Sequence, residues 1–254
     1  MLGSMWPLVF LGRAQRRLLE CGAPILTYHK LGCPPRGTRD PFLYTRPDAL
    51  DRHLQQLQAA GLQVVSLTDF LAKPDPLRRA AVTFDDGFQS VLRGGLEVLA
   101  RHHVCAIQFL VSGFLGRRNE WDVQKQDVAE PLMNEAEIKQ WLGAGHEIGS
   151  HSATHRNLKK LSATEAREEI AGSKKALEDQ FGVAVRHFCY PFGGWTPRVR
   201  DLVAEAGYES ACSVLFGVND ATTDRFALKR LIPLSSIELA RKALHRLGQR
   251  AGLG

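Results

Sequence analysis

Short apolar runs that end in a chemistry-bearing residue alternate with amphipathic stretches along most of this chain. Pro24-Ile25-Leu26-Thr27-Tyr28 reads as a strand running into His29, and Val64-Val65-Ser66 as a second, shorter one. Ala80-Ala81-Val82-Thr83-Phe84 delivers Asp85, Asp86 and Gly87 into a turn, and Ala106 to Val111 is another strand. Arg186 to Tyr190 follows the same pattern and runs into Pro191-Phe192-Gly193-Gly194-Trp195; two last strands are expected over Glu209 to Val214 and Phe226 to Ile232. Between them lie helical periodicities. Leu50, Leu54 and Leu57 fall on one face behind an Asp48 cap and before Gly61; Leu92, Leu96 and Leu99 do the same within 91–103. Asn134 with Glu137 and Ser162 with Glu165 are capping boxes, Thr196-Pro197 supplies a cap and first turn, and a basic helix is expected from Ser236 to Leu247. Strand–helix alternation without repeats or linkers predicts a parallel sheet, most economically a single (β/α) barrel. Strand C-terminal ends then meet on one face, so His29, Asp85, Asp86, the His151–His155 segment and Tyr190 are expected to share a site.

Composition changes this picture little. With 254 residues, 44% of them apolar and 24% charged, the chain has the make-up of a globular domain with a large core. Residues 1–20 are read as an N-terminal extension and 21–254 as the catalytic domain. The net charge of +6 favours anionic partners, but the basic residues are dispersed and aromatics make up only 8%, which excludes the basic, aromatic-lined stripe of a nucleic-acid binder. Five dispersed cysteines without a C-x-x-C pair suit core thiols in a reducing compartment. The apolar start, Met1 to Leu11, lacks a preceding positive charge and a cleavage site, and is too short to span a bilayer. It is expected to pack on the domain, with peripheral membrane association the other reading, in a cytoplasmic protein; oligomeric state is left open.

Adjacent carboxylates raise one another's pKa in a dry pocket unless a cation lies close, so Asp85-Asp86 suits a metal site, although Asp-Asp-Gly is also an ordinary solvated turn. His151 and His155, four apart, can present both imidazoles to one side in a helix or tight turn, and with Asp86 would make two nitrogens and one oxygen, a catalytic zinc set. Solvated or capping histidines are the alternative. No Glu follows His151, which disfavours a zinc protease of the H-E-x-x-H type.

Taken together and in order, Thr83-Phe84-Asp85-Asp86-Gly87, His151-Ser152-x-x-His155 and Phe188-Cys189-Tyr190-Pro191-Phe192-Gly193 resemble the polysaccharide deacetylases of carbohydrate esterase family four. The resemblance covers roughly residues 24 to 235. It implies a distorted (β/α) barrel that hydrolyses the N-acetyl group of an amino sugar in a glycan. It also implies a divalent metal, usually zinc, on Asp86, His151 and His155, with Asp85 as base and the oxyanion held near Tyr190. Two features depart from the common pattern: Cys189 stands where an arginine is usual, and no late acid histidine follows Ile232, His245 lying in the expected basic helix. Both match the circularly permuted subgroup that resembles poly-N-acetylglucosamine deacetylases, which makes His29, in its Tyr28-His29 context, the expected general acid. Arg230 is a candidate for orienting Asp85, an exposed basic residue being the other reading. Tyr190, Pro191, Phe192 and Trp195 are expected on the substrate side, and the 117–131 loop with Trp121 is expected to help select substrate. The family also hosts hydrolysis of other amides and imides on this scaffold, and a silent glycan-binding barrel would share the fold.

Overall fold

The computed structural model describes residues 19, 21–72, 78–123 and 126–233. The N-terminal segment, the basic helix expected over 236–247 and His245 lie outside the described residues. No described helix is long and apolar enough to cross a membrane.

Ten strands are formed among the described residues: β1 (Ile25–Tyr28), β2 (Lys30–Leu31), β3 (Tyr44–Thr45), β4 (Gln63–Val64), β5 (Arg79–Phe84), β6 (Ile107–Leu110), β7 (Glu147–Ser150), β8 (His187–Cys189), β9 (Ser210–Phe216) and β10 (Leu228–Arg230). Seven of them run parallel in the order β1-β5-β6-β7-β8-β9-β10, with β4 added to β5 and β2 paired to β3. The ring closes through Leu231, which bridges to Leu26: Thr27 N–H donates to the Leu231 carbonyl at 3.0 Å, and Leu231 N–H to that of Ile25 at 2.8 Å. The expected barrel is therefore present, nearly closed.

The helices are α1 (Pro47–Ala59), α2 (Leu67–Leu71), α3 (Gln89–Arg101), α4 (Glu120–Val123), α5 (Glu135–Gly143), α6 (Ala163–Phe181) and α7 (Pro197–Glu205). Leu50, Leu54 and Leu57 are buried as their spacing requires, and both capping boxes are made. The first helix starts before Asp48, with Arg46 as its cap residue, because Pro47 has a preset φ and no N–H to satisfy, which suits the first helical position.

Strand alternation divides the core in two. Ile25, Ala81, Ile107, Phe109, Cys189, Cys212 and Leu228 form one apolar cluster with Leu67 and Phe70 of α2; the next residues along, such as Leu26, Val82, Phe84 and Phe188, join the larger one with the helices. At the N-terminal end of the barrel, Glu147 accepts from Leu67 N–H at 3.2 Å and Thr68 N–H at 3.4 Å, tying α2 in place. His187 bonds Thr68 at 3.0 Å and Ser210 at 2.9 Å there, and burial pushes its pKa down to about 4. The two ends of the barrel thus differ: one is sealed, the other lined with acids and imidazoles.

Packing is tight at Gly149 of β7, where an added Cβ would lie 2.6 Å from the Phe109 ring and 2.8 Å from the His187 carbonyl. Gly149→Ala should overpack this site and lower the urea unfolding midpoint by the equivalent of about 1–3 kcal/mol, with an unchanged m-value.

Candidate active site

Every expected catalytic or ligating side chain sits at the C-terminal end of a barrel strand or in the loop just beyond. His29 follows β1, Asp85 and Asp86 follow β5, His151 follows β7, and Arg230 ends β10. Ala81, Thr83 and Asp85 share one parity, and Leu228 and Arg230 another, which aims Asp85 and Arg230 at each other across the interior. Asp86 should by the same alternation point away. It does not, because Asp86 (φ 75°) and Gly87 (φ 83°) both take left-handed conformations that swing its carboxylate back over the mouth. The turn is held by fully buried Gln108, whose side-chain oxygen, assigned from its neighbours, accepts from Gly87 and Phe88 N–H at 3.2 Å each.

His151 and His155 converge through a tight loop rather than a helix. Ser152 (φ 68°) and His155 (φ 59°) are left-handed, Ser152 Oγ accepts from His155 N–H at 3.0 Å, and buried Glu169 takes Thr154 N–H at 2.8 Å. The result places Nε2 of His151 and of His155 at 3.3 and 3.2 Å from Asp86 Oδ1.

These three atoms form a group able to hold a metal ion. His151 Nδ1–H donates to the Cys189 carbonyl at 2.7 Å, which leaves its Nε2 with a lone pair facing the carboxylate. Asp86 Oδ1 is buried and accepts no hydrogen bond among the described residues. An acceptor so oriented against two imidazole nitrogens requires a positive charge between them, so the residues present fit a divalent cation on chemical grounds. Burial opposes charge on Asp86, but His155 and His151 hold its pKa well below the usual carboxylate range.

Asp85, 2% exposed, is gripped by Arg230: Nη1 donates to Oδ1 at 2.7 Å and Nη2 to Oδ2 at 2.8 Å. Arg230 is buried, not the exposed residue of the alternative reading; Nε also donates to the Ser213 carbonyl at 2.8 Å and Nη1 to Thr83 Oγ1 at 3.1 Å. Burial would raise the pKa of Asp85, and the guanidinium outweighs it and holds the carboxyl below its ordinary value. Cys189 Sγ lies 3.6 Å from Asp85 and 3.2 Å from Arg230, so a thiol occupies the space that a larger residue would take from this pair. His29 Nε2 stands 3.8 Å from Asp85 Oδ2 with 27% of its side chain exposed. Burial lowers its pKa, against the pull of Asp85 and Asp86.

The expected substrate side is corrected in three places. Tyr190 N–H donates to the Cys212 carbonyl at 3.2 Å and its hydroxyl to the Phe226 carbonyl at 2.9 Å, so both donors are engaged within the fold rather than offered to an oxyanion. Pro191 is buried, and Trp195 stacks on Tyr190 at 6.1 Å rather than lining the open cleft. Phe192 does line it, as does Trp121, whose ring stacks on His155 at 4.4 Å while Phe192 meets His155 edge-on at 4.5 Å. This cleft of about 520 Å³ is completed by Phe114, Thr154 and Lys160, among others.

A family model described as polysaccharide deacetylase matches residues 72–211. The chain is 32% identical over 127 residues to the peptidoglycan-N-acetylglucosamine deacetylase PgdA of Listeria monocytogenes; the alignment takes in 50% of this chain and 24% of that one. The chain therefore spans about a quarter of the length of that relative. Among solved structures, a Streptococcus pyogenes deacetylase, PplD, in complex with acetate superposes with a TM-score of 0.71 at 21% identity, covering 87% of this chain and 97% of that one. IcaB from Ammonifex degensii gives a TM-score of 0.69 at 21% identity, covering 87% and 95%. These two likenesses establish the barrel fold.

The Asp85–Arg230 pair makes stability depend on pH in a stated direction. Asp85 titrates lower folded than unfolded, so its contribution is present above about pH 4, the unfolded carboxylate value, and is lost as pH falls through the folded one. Arg230→Met should cost about 3–5 kcal/mol near pH 7, because the carboxylate is left buried and unpaired. Denaturant titrations should show that loss shrinking toward pH 3, where Asp85 in the variant is protonated and uncharged.

Proposed function

Because the chain belongs to the polysaccharide deacetylase family, we propose that it is a metal-dependent hydrolase that removes acetyl groups from N-acetylhexosamine units of a glycan. The observation that carries this reading is the convergence of Asp86, His151 and His155 on one buried point beside the Arg230-held carboxylate of Asp85. The donor set, two imidazole nitrogens and one carboxylate oxygen, suits zinc, and when bound the ion supplies an acidified water and polarises the acetamide carbonyl.

The remaining chemistry belongs to the chain's own side chains. Asp85 takes the proton of the attacking water while Arg230 keeps both carboxylate oxygens in a fixed orientation and the acid ionised. As the carbonyl carbon gains the new C–O bond and loses its C–N bond, His29 delivers a proton to the departing amine, and acetate and a free amino sugar result. His29 Nε2 and Asp85 Oδ2 lie 3.8 Å apart, close enough for acid and base to serve one reacting centre. Trp121 and Phe192 offer apolar ring surface at the cleft wall, suited to a sugar face.

The reading is tested by metal analysis of the purified protein together with acetate release from N-acetylglucosamine oligomers, before and after chelation and zinc return. About one equivalent of metal and chelator-sensitive acetate release are expected; metal without acetate release would move the assignment to a different amide. Asp86→Ala, His151→Ala and His155→Ala should each abolish metal binding and turnover together. Asp85→Asn should retain the metal and lose about 10²–10⁴ in kcat, and His29→Ala should lose turnover on the same scale with metal retained.

A further inference from the structure

His155 is the less supported of the two imidazoles. The Nδ1–H of His151 is held by a carbonyl, whereas Nδ1 of His155 is buried and has no hydrogen-bond partner among the described residues. An imidazole that binds through Nε2 needs its proton kept on Nδ1, since the opposite tautomer blocks the ligating atom; a carboxylate or carbonyl usually does this.

Helix α4 lies against this ring. Trp121 covers its face at 4.4 Å, and the next residue, Asp122, is buried. Asp122 is itself anchored: Asn119 Nδ2 donates to its Oδ2 at 2.7 Å. Asn119 is fully buried and closes the loop, donating its N–H to the Glu130 carbonyl at 3.2 Å and accepting from Glu130 N–H with its side-chain oxygen. The Asp122 carboxylate is thus fixed beside a ring that its chain neighbour Trp121 covers.

Resting on the metal-site reading above, we infer that Asp122 is a positioning residue for His155. Its carboxylate accepts the Nδ1–H through one bridging water and so commits Nε2 to the ion. Asn119 sets the angle of the carboxylate and Trp121 the plane of the ring. A stretch expected only to select substrate thereby also governs how tightly the site holds its metal.

The test is zinc affinity by competition with a chelating dye, joined to ring ¹⁵N shifts of His155 in the metal-free protein, for wild type, Asp122→Asn and Asp122→Ala. Asp122→Ala should bind zinc about 10–100-fold more weakly, with Asp122→Asn in between because an amide oxygen still accepts the Nδ1–H. The shifts should report Nδ1–H in the wild type and a mixture of tautomers in Asp122→Ala. A purely structural role predicts instead a lower melting temperature with affinity and tautomer unchanged, and that result overturns the inference. Should Asp122→Ala fail to fold, wild-type affinity and tautomer in Asp122→Asn together with an unchanged tautomer on Asn119→Ala overturn it equally. Wild-type protein that takes no zinc removes the functional reading and the inference with it, whereas zinc binding equal in wild type and Asp122→Ala removes the inference alone.

Discussion

Three lone pairs aimed at one buried point are tolerable only with positive charge between them, and the open mouth of this barrel is arranged around that constraint. Asp86 Oδ1 and the two Nε2 atoms meet within 3.3 Å of one another along each Asp–His line. The neighbouring contacts supply no alternative donor to that oxygen among the described residues. They act instead on the backs of the ligands: the Cys189 carbonyl on His151, Trp121 and Phe192 on the ring faces of His155, and Gln108 on the turn that carries Asp86.

The second constraint is that two adjacent acids must behave differently. Asp85 and Asp86 are consecutive, both buried, and both held ionised, yet by different partners. Arg230 takes Asp85 with both arms of its guanidinium, which neutralises it and denies it to the ion, while Asp86 is turned toward the histidines. Backbone geometry separates them: alternation along β5 points Asp85 inward, and the left-handed φ of Asp86 redirects what alternation would have sent outward. A buried ion pair of this kind adds little net stability but is costly to break, by about 3–5 kcal/mol. Its value under the proposed mechanism is orientation: the guanidinium fixes both oxygens of the proposed base.

How far the chain could be read without coordinates follows from the same physics. Elements with a strong period were legible: the leucine stripe of α1, both capping boxes and the parallel order of strands. The convergence of Asp86, His151 and His155 was legible because the residue types and their order carry the chemistry. Long-range pairings were not. Arg230 was a weak expectation although Leu228 and Arg230 share parity with an apolar residue facing the barrel interior, a signal that points an arginine inward only once the ring is known to close through Leu231. The oxyanion donor placed at Tyr190 failed for the converse reason: sheet pairing of β8 with β9 continues one residue past Cys189 and engages that N–H, and where a ladder stops is not written in local sequence. Lys30 is the same kind of case, an ammonium with no hydrogen-bond partner among the described residues, seated over Phe88 and Tyr44 at 4.6 and 5.0 Å, where sequence alone suggests a surface lysine.

The left-handed residues connect these observations. Asp86, Ser152, His155 and Phe192 are non-glycine residues with positive φ, and all four sit around the one site. Each such conformation costs of order 1–3 kcal/mol and persists only where its surroundings over-determine it. Here they do: Gln108 secures the Asp86 turn, Ser152 and Glu169 secure the histidine loop, and Gly193, whose Cβ would fall 2.1 Å from Val214, lets Phe192 reach the cleft. A regular strand end can present one side chain per strand at fixed parity. Bringing two consecutive acids to different partners and two histidines to one point requires departures from regular backbone, so the strain marks where the barrel stops being a scaffold and becomes the candidate site.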